Sequence, residues 1–238
     1  IRLDHISRYN WAITKLEKLL QDNNCIEGAD VFCGNGYGAS LLSNLGAVWA
    51  VDKSEEAIKI ARKHYGLHGI TYETGEYPFE IPVEKFDYVV SIESVEHVKQ
   101  YKELVSALVG SVKDGGYIII STPNQDLLPY DMDTHKFHEK HFTIGEVNDL
   151  FSEYRVECIA FAGQTVYEEK VESGPLTLVS GSSFEPLDGV PGQFNLFLFR
   201  KTPANEESAF NIIERQKLPF MVRVFKKIIR HIRAFINK

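Results

Sequence analysis

The sequence predicts an α/β fold with a doubly wound, mostly parallel sheet of seven strands and an antiparallel hairpin at one edge. Short apolar segments alternate with amphipathic ones through residues 8–160, which is typical of βα units. Residues 28–42 read as a buried strand, a turn with glycine at 34, 36 and 38, and the start of a helix. Glycine lets the main chain adopt positive φ and approach a ligand closely, so this turn is predicted to touch a bound molecule.

Each element follows from a local pattern. An amphipathic helix is predicted from about Arg8 to Leu20, ahead of the sheet. The strands are predicted near residues 28–33, 47–51, 70–72, 87–91, 117–121, 154–162 and 193–200, and the last two are expected to pair antiparallel. The remaining helices are predicted near 38–45, from Ser54 as N-cap, near 99–112, and from a cap at Thr143 through about Phe151.

The chain is predicted to divide into a domain at residues 1–204 and a tail at 205–238. Residues 165–192 are rich in Gly, Ser, Pro and Glu and read as a long surface insertion. From Lys217 to Lys238 the tail carries cations without any acid, and its apolar residues fall on one helical face. Such a basic amphipathic helix either docks on the core or on a second copy, which we favour, or lies on an anionic membrane surface.

Composition narrows the function classes. With 238 residues and 44% hydrophobic content, the chain can bury one large core. A net charge of −7 disfavours nucleic acid as a partner, because phosphate binding needs clustered cations. The cysteines at 25, 33 and 158 have no disulfide-framework spacing. They are therefore expected to be reduced, which favours a cytoplasmic location, with peripheral attachment at the inner membrane surface as the alternative through the tail.

Three further motifs accompany the glycine turn. Asp52 follows the second apolar strand, and an acid at that position is suited to accept hydrogen bonds from both hydroxyls of a ribose. The segment FDYVVSIESVEHV at 86–98 is a strand followed by acids and a histidine, and GGYIIISTPN at 115–124 is a turn into another strand. Together, in this order, these motifs resemble the class I S-adenosylmethionine-dependent methyltransferases over roughly residues 5–160.

The resemblance implies a Rossmann-like methyltransferase fold, S-adenosylmethionine as cofactor, and a cofactor site at the glycine turn. Asp30 is expected to anchor the turn or the amino group, Asp52 to take the ribose hydroxyls, and Tyr77 to lie near the adenine. Phe32 departs from the small residue usual in the family, and its ring either crowds the donor or faces the core. Arg8 and Tyr9 resemble a pair that closes over the donor, although an ordinary surface Arg and a packed Tyr fit equally well. The predicted cofactor-binding residues are Tyr9, Asp30, Cys33, Gly34, Asn35, Gly36, Asp52, Lys53, Glu76, Tyr77, Ser91 and Ile92.

Glu93, Glu96 and His97 have helical spacing i, i+3 and i+4, so on a helix they would share a face and could bind one divalent metal ion. They resemble the magnesium-binding motif of ubiquinone-pathway O-methyltransferases and of enzymes that methylate the 2′-hydroxyl at small-RNA 3′ ends. The alternative is a site without metal, in which His97 caps a helix or accepts a proton. In that case His138 or His141 is the candidate base, because an imidazole titrates near neutral pH.

The segment at 137–143 resembles one that covers the acceptor pocket in sugar- and quinone-modifying members of the family. We therefore expect methyl transfer to a hydroxyl of a small molecule or glycan. The alternatives are an RNA 2′-O-methyltransferase, which the acidic balance disfavours, and a non-catalytic binding module on the same fold.

Overall fold

The computed structural model describes residues 2–168, 178 and 184–204. The chain divides after Lys201, and the described residues lie almost entirely in the compact unit Ile1–Lys201. The predicted basic helix of the tail lies outside the described residues, as do 169–177 and 179–183 of the predicted insertion. Its proposed contacts with the core, a second copy or a membrane therefore stay predictions.

The first unit is built on a mostly parallel sheet whose strand order is β3-β2-β1-β4-β5-β8-β6-β7. The first five strands in this order run parallel, while β8 is antiparallel to both β5 and β6. The strands are β1 Glu27–Val31, β2 Ala47–Asp52, β3 Ile70–Thr74, β4 Phe86–Ile92, β5 Val112–Pro123, β6 Val156–Gln164, β7 Leu187–Asp188 and β8 Phe194–Lys201.

The predicted fold class and the antiparallel pairing of the last two long strands are confirmed. The described sheet has eight strands rather than seven, because the two-residue β7 pairs with β6 through Ala162 and Gly163. Two residues are too few to show an alternating pattern, so the sequence gives no signal for this strand.

Helices cover both faces of the sheet. They are α1 Leu3–Leu20, α2 Tyr37–Leu42, α3 Glu55–Tyr65, α4 Tyr101–Ser111 and α5 Ile144–Ser152, with a short 3₁₀ helix at Val95–His97. The predicted caps are present. Ser54 Oγ accepts a hydrogen bond from Ala57 N–H at 3.1 Å, and Thr143 forms a capping box with Glu146. Helix α1 begins at Leu3, before the predicted start at Arg8. The sequence pattern misses its first turn because the residues buried there are polar and give no apolar periodicity.

Two apolar clusters hold the layers together. Leu16, Leu42 and Ile58 belong to the cluster that joins α1, α2 and α3 to one face of the sheet. Leu108 and Phe151 belong to the cluster that joins α4 and α5 to the other face. The chain runs from β1 outward to β2 and β3, and then returns to place β4 on the other side of β1. Ligands of such sheets bind outside the carboxyl ends of the strands where the order reverses, so the site is expected beyond β1 and β4.

Candidate active site

The glycine turn lies at the carboxyl end of β1 and is tied to the end of β2. Gly34 and Gly36 have φ values of 54° and 80°, in the left-handed region that glycine adopts readily. Asp52 accepts a hydrogen bond from Gly34 N–H at 2.9 Å through Oδ2 and from Ser54 N–H at 2.9 Å through Oδ1. Because each carboxylate oxygen has two acceptor sites, Asp52 shapes the turn and keeps capacity for hydroxyl donors of a ligand.

The two glycines of the turn differ in their surroundings. A Cβ on Gly36 would lie 2.5 Å from the Ala61 side chain and 2.8 Å from the Tyr72 ring, so Gly36 is required by packing. A Cβ on Gly34 would meet no atom within 4 Å, which means that the main chain there borders open space. This open space beside Asp52 fits a ligand that packs against bare main chain.

Asp30 and Tyr9 are brought together beneath the turn. Asp30 is fully buried, and its two oxygens accept hydrogen bonds from the Tyr9 hydroxyl at 3.0 and 3.3 Å. The pKa of Asp30 is raised to about 7, mainly by burial and also by the charge of Asp52, while the Tyr9 hydrogen bond opposes the shift. A cationic ligand group near Asp30 would therefore favour its ionised form.

Phe32 follows β1 with φ of 66°, a value that a bulky side chain rarely adopts. This conformation gives a physical reason for a small residue at this position. The ring packs against Tyr77 and Phe79, with centroid distances of 6.4 and 6.0 Å, and joins the apolar cluster on the α4 and α5 face. Of the two expectations for this ring, packing on the core is the one that the structure shows.

The other predicted cofactor residues divide into exposed and engaged side chains. Asn35, Lys53 and Glu76 are exposed at the carboxyl edge of the sheet. Ser91 is buried and donates a hydrogen bond to the Val31 carbonyl at 3.2 Å, which links β4 to β1. Cys33 and Ile92 are also buried, and burial raises the pKa of the Cys33 thiol.

The expected helical face of Glu93, Glu96 and His97 is wrong. The 3₁₀ helix covers only Val95–His97, and Glu93 precedes it with φ of 49°. The Glu93 carboxylate turns away, because Oε1 accepts a hydrogen bond from Ser121 Oγ at 2.7 Å and Oε2 lies 3.4 Å from Arg8 Nη1. Glu93 therefore does not join the other two residues in a candidate metal site.

His138 takes the place of Glu93 in that site. One ligand atom from each of Glu96, His97 and His138 lies within 4.8 Å of the other two. Glu96 is fully buried, and among the described residues neither of its oxygens has a hydrogen-bond partner. Burial and the nearby charge of Glu93 raise the pKa of Glu96 well above its usual range. An unpaired buried carboxylate beside two imidazoles is suited to bind a cation.

The three predicted catalytic histidines lie close together. The His97 and His138 ring centroids are 4.5 Å apart, and those of His138 and His141 are 5.0 Å apart. Burial, followed by the neighbouring imidazoles, lowers the pKa of His138 to about 3. An imidazole with so low a pKa stays neutral at pH 7 and is a weak base.

Arg8 is a buried cation, whereas the sequence analysis left open that it is an ordinary surface residue. Its side chain is fully buried, donates to Gln164 Oε1 at 2.6 Å and to Asp4 Oδ2 at 3.3 Å, and lies over the Phe194 ring at 4.2 Å. A sequence signal exists, since Arg8 interrupts the apolar stripe that continues along α1 at Ala12 and Leu16.

Comparison with known proteins agrees with this geometry. Residues 29–120 match the family described as "Methyltransferase domain". Over these residues the chain is similar to the class I S-adenosylmethionine-dependent methyltransferases. The family match covers most of β1, the glycine turn, Asp52, the 3₁₀ helix and most of β5. S-adenosylmethionine is the cofactor of the family.

Two curated relatives of this methyltransferase domain come from ubiquinone biosynthesis. The mitochondrial ubiquinone biosynthesis O-methyltransferase of Schizosaccharomyces pombe is 32% identical over 123 residues, 48% of this chain and 44% of that protein. The ubiquinone biosynthesis O-methyltransferase of Thiobacillus denitrificans is 37% identical over 107 residues, 42% of this chain and 46% of that protein. The chain thus spans about half the length of the curated relatives it matches.

Solved structures show the same fold at low identity. An S-adenosylmethionine-dependent methyltransferase from Mesorhizobium loti superposes with a TM-score of 0.59 and 17% identity, over 79% of this chain and 96% of that chain. In the part of the chain that the structure describes, every helix is too short or too polar to cross a bilayer.

Proposed function

We propose that this domain transfers the methyl group of S-adenosylmethionine to a hydroxyl of a small aromatic acceptor of the quinone-precursor type. The observation that carries the proposal is the cluster of the buried Glu96, the half-buried His138 and the exposed His97 beyond the carboxyl end of β4. The names of both curated relatives favour a quinone precursor over the glycan that the sequence analysis allowed. Neither name supports the RNA-modifying or non-catalytic alternatives.

The donor fits the glycine turn by charge and by close approach to the main chain. S-adenosylmethionine carries a sulfonium and an ammonium group; the half-buried carboxylate of Asp52 lies beside Gly34, and that of Asp30 is buried beneath the turn. Asp52 would accept hydrogen bonds from the ribose hydroxyls with the acceptor sites that the turn leaves open. The bare main chain at Gly34 would let the donor approach closely.

Methyl transfer makes one bond and breaks another. The acceptor oxygen forms a bond to the methyl carbon, while the carbon–sulfur bond breaks and its electron pair stays on sulfur as a neutral thioether. The hydroxyl proton must leave, and a base at the acceptor side has to take it. His138 is a poor candidate for that base because its pKa is lowered to about 3.

A ligating imidazole must be neutral, and the lowered pKa of His138 keeps it neutral at pH 7. We include a divalent metal ion in the proposal, held by Glu96, His97 and His138. The unpaired, buried oxygens of Glu96 fit this group, because a cation would compensate their charge. Two nitrogens and one carboxylate suit zinc or manganese better than magnesium. A bound ion would supply Lewis-acid chemistry that lowers the pKa of an acceptor hydroxyl.

The test combines donor binding with transfer. Glu96→Gln keeps the size of the side chain and removes its charge, so we expect unchanged affinity for S-adenosylmethionine by calorimetry. Transfer of labelled methyl to a catechol acceptor in the presence of Mn²⁺ is expected to fall about 100-fold or more, in the range seen when a metal site or proton-transfer group is lost. Glu139→Gln is the matched control, because Glu139 is exposed and pairs with Lys99 at 3.9 Å.

Full transfer activity in Glu96→Gln would show that the cluster takes no part in the reaction. Donor binding without methylation of catechol or of any other phenolic acceptor would refute the proposed acceptor class.

A further inference from the structure

The loop between β5 and α5 holds His141 against its own main chain. His141 is buried, and its Nδ1 lies 2.6 Å from the carbonyl oxygen of Leu128. A carbonyl oxygen only accepts hydrogen bonds, so His141 Nδ1 must carry the proton of this contact. Because a neutral imidazole has a single N–H, the Nε2 of His141 is then an acceptor.

The protonation of His141 determines which nitrogen of His138 carries the proton. His138 Nδ1 lies 2.8 Å from His141 Nε2. Since His141 Nε2 accepts, His138 Nδ1 must donate, and the lone pair of His138 is left on Nε2. His97 reaches the same state independently, because its Nδ1 lies 2.8 Å from the carbonyl oxygen of Phe137.

We infer that His141 is a positioning residue. Its Nδ1–H donates to the Leu128 carbonyl, so its Nε2 accepts from His138 Nδ1–H, and this contact fixes the His138 tautomer in which Nε2 keeps its lone pair free. Its role as a catalytic base, one expectation from the sequence, is replaced, because both of its ring nitrogens are engaged inside the protein. The consequence for a metal ion rests on the proposed function, whereas the tautomer itself does not.

The Tyr130 hydroxyl supports this arrangement from the other side of the loop. It donates a hydrogen bond to the carbonyl oxygen of His138 at 2.9 Å, and the Tyr130 ring contacts the His141 ring edge to face at 5.6 Å. The main chain and the ring of His138 are therefore both held. Partners of metal-ligating histidines orient the ring and fix the tautomer, and losing one typically costs 10- to 100-fold in metal affinity.

The chain permits a substitution that separates positioning from catalysis. In His141→Gln the amide NH₂ can donate to Leu128 and the amide oxygen can accept from His138, so the relay is preserved without an imidazole. In His141→Leu both hydrogen bonds are lost. His135→Leu is the control, because the His135 ring lies 4.5 Å from the His141 ring but its Nδ1 accepts from Asp131 N–H.

The first readout is the ¹⁵N NMR spectrum of the histidines in the full chain, free of metal and donor. We expect His138 to carry its proton on Nδ1 in the unmodified protein and in His141→Gln, and to become a mixture of tautomers in His141→Leu. The second readout is Mn²⁺ affinity by calorimetry. We expect a 10- to 100-fold loss in His141→Leu and a change within about threefold in His141→Gln and His135→Leu.

A proton on His138 Nε2 in the unmodified protein would overturn the inference, and so would equal loss of Mn²⁺ affinity in folded His141→Gln and His141→Leu. If His141→Leu does not fold, the spectra of the unmodified protein and of His141→Gln still decide the tautomer. If only the proposed function fails, methyl transfer will be absent in all variants while the His138 tautomer is unchanged.

Discussion

Gly34 and Gly36 allow the cofactor space to be probed separately from the fold. Both glycines have positive φ, so an added Cβ costs about 1–2 kcal/mol at either position. At Gly36 the new methyl would also overlap Ala61 and Tyr72, and overpacking of this kind adds about 1–3 kcal/mol. At Gly34 the methyl would enter open space.

We therefore expect Gly36→Ala to lose about 2–5 kcal/mol of unfolding free energy and Gly34→Ala only about 1–2 kcal/mol. Affinity for S-adenosylmethionine should respond differently. The methyl of Gly34→Ala would occupy space that the donor needs, and we expect its Kd to rise at least tenfold, about 1.4 kcal/mol. Urea unfolding measures the first quantity and titration calorimetry the second.

Gly110→Ala is the matched control. Gly110 lies in α4, where an added Cβ meets no atom within 4 Å, so this variant should gain about 0.5–1 kcal/mol and bind the donor normally. If folded Gly34→Ala bound S-adenosylmethionine as tightly as the unmodified protein, the open space at the turn would not be the donor site.

Three further perturbations test the buried charges and the strained strand end. The folded-state pKa of Asp30, about 7, lies above the ordinary value of 3.8, so this group lowers stability as pH rises between these values, by about 4 kcal/mol in total. In Asp30→Asn the unfolding free energy, measured with urea, should lack this pH dependence across the same window. An unchanged pH dependence would contradict the raised pKa of Asp30. Arg8→Met removes a fully buried cation that pairs with Asp4 and Glu93 and should cost about 3–5 kcal/mol, whereas Arg155→Met, at a half-exposed pair, should cost less than about 1 kcal/mol. Similar losses would refute the buried pairing. Phe32→Gly should be about 1 kcal/mol more stable than Phe32→Ala in thermal unfolding because φ is 66°, and the reverse order would show that the left-handed conformation is not held in solution.

The sequence predicts the fold well because the elements depend on local patterns. Alternation of apolar strands with amphipathic helices is visible without tertiary information, and so are the caps at Ser54 and Thr143. The missing pieces depend on contacts between distant segments. Strand β7 forms only because Leu187 and Asp188 meet β6, and the first turns of α1 are buried through polar groups.

The candidate site was likewise predicted in part. The glycine turn and Asp52 were predicted, because a strand followed by glycines and an acid after the next strand are features of the chain itself. The helical face expected for Glu93, Glu96 and His97 was wrong, because the spacing gives a shared face only if the whole segment is helical. Arg8 was not predicted as buried, since its partner Gln164 lies 156 residues away in sequence.

Several locally unfavourable features meet at one edge of the sheet. The two strands at the reversal of strand order, β1 and β4, are each followed by a non-glycine residue in the left-handed region, Phe32 and Glu93. Such conformations cost about 1–3 kcal/mol each and concentrate at functional sites. Asp30 and Glu96 are fully buried carboxyls with raised pKa values at the same edge.

Positive charge would stabilise the ionised form of the two buried carboxyl groups. Four carboxyl groups, those of Asp30, Asp52, Glu93 and Glu96, lie at or just beyond the carboxyl ends of β1, β2 and β4, and Arg8 forms an ion pair with Glu93. A sulfonium donor and a divalent metal ion are both cations, so each would relieve repulsion and desolvation that the folded chain sustains without them. The acidic crevice is therefore better explained by the cations it is proposed to bind than by the stability of the fold.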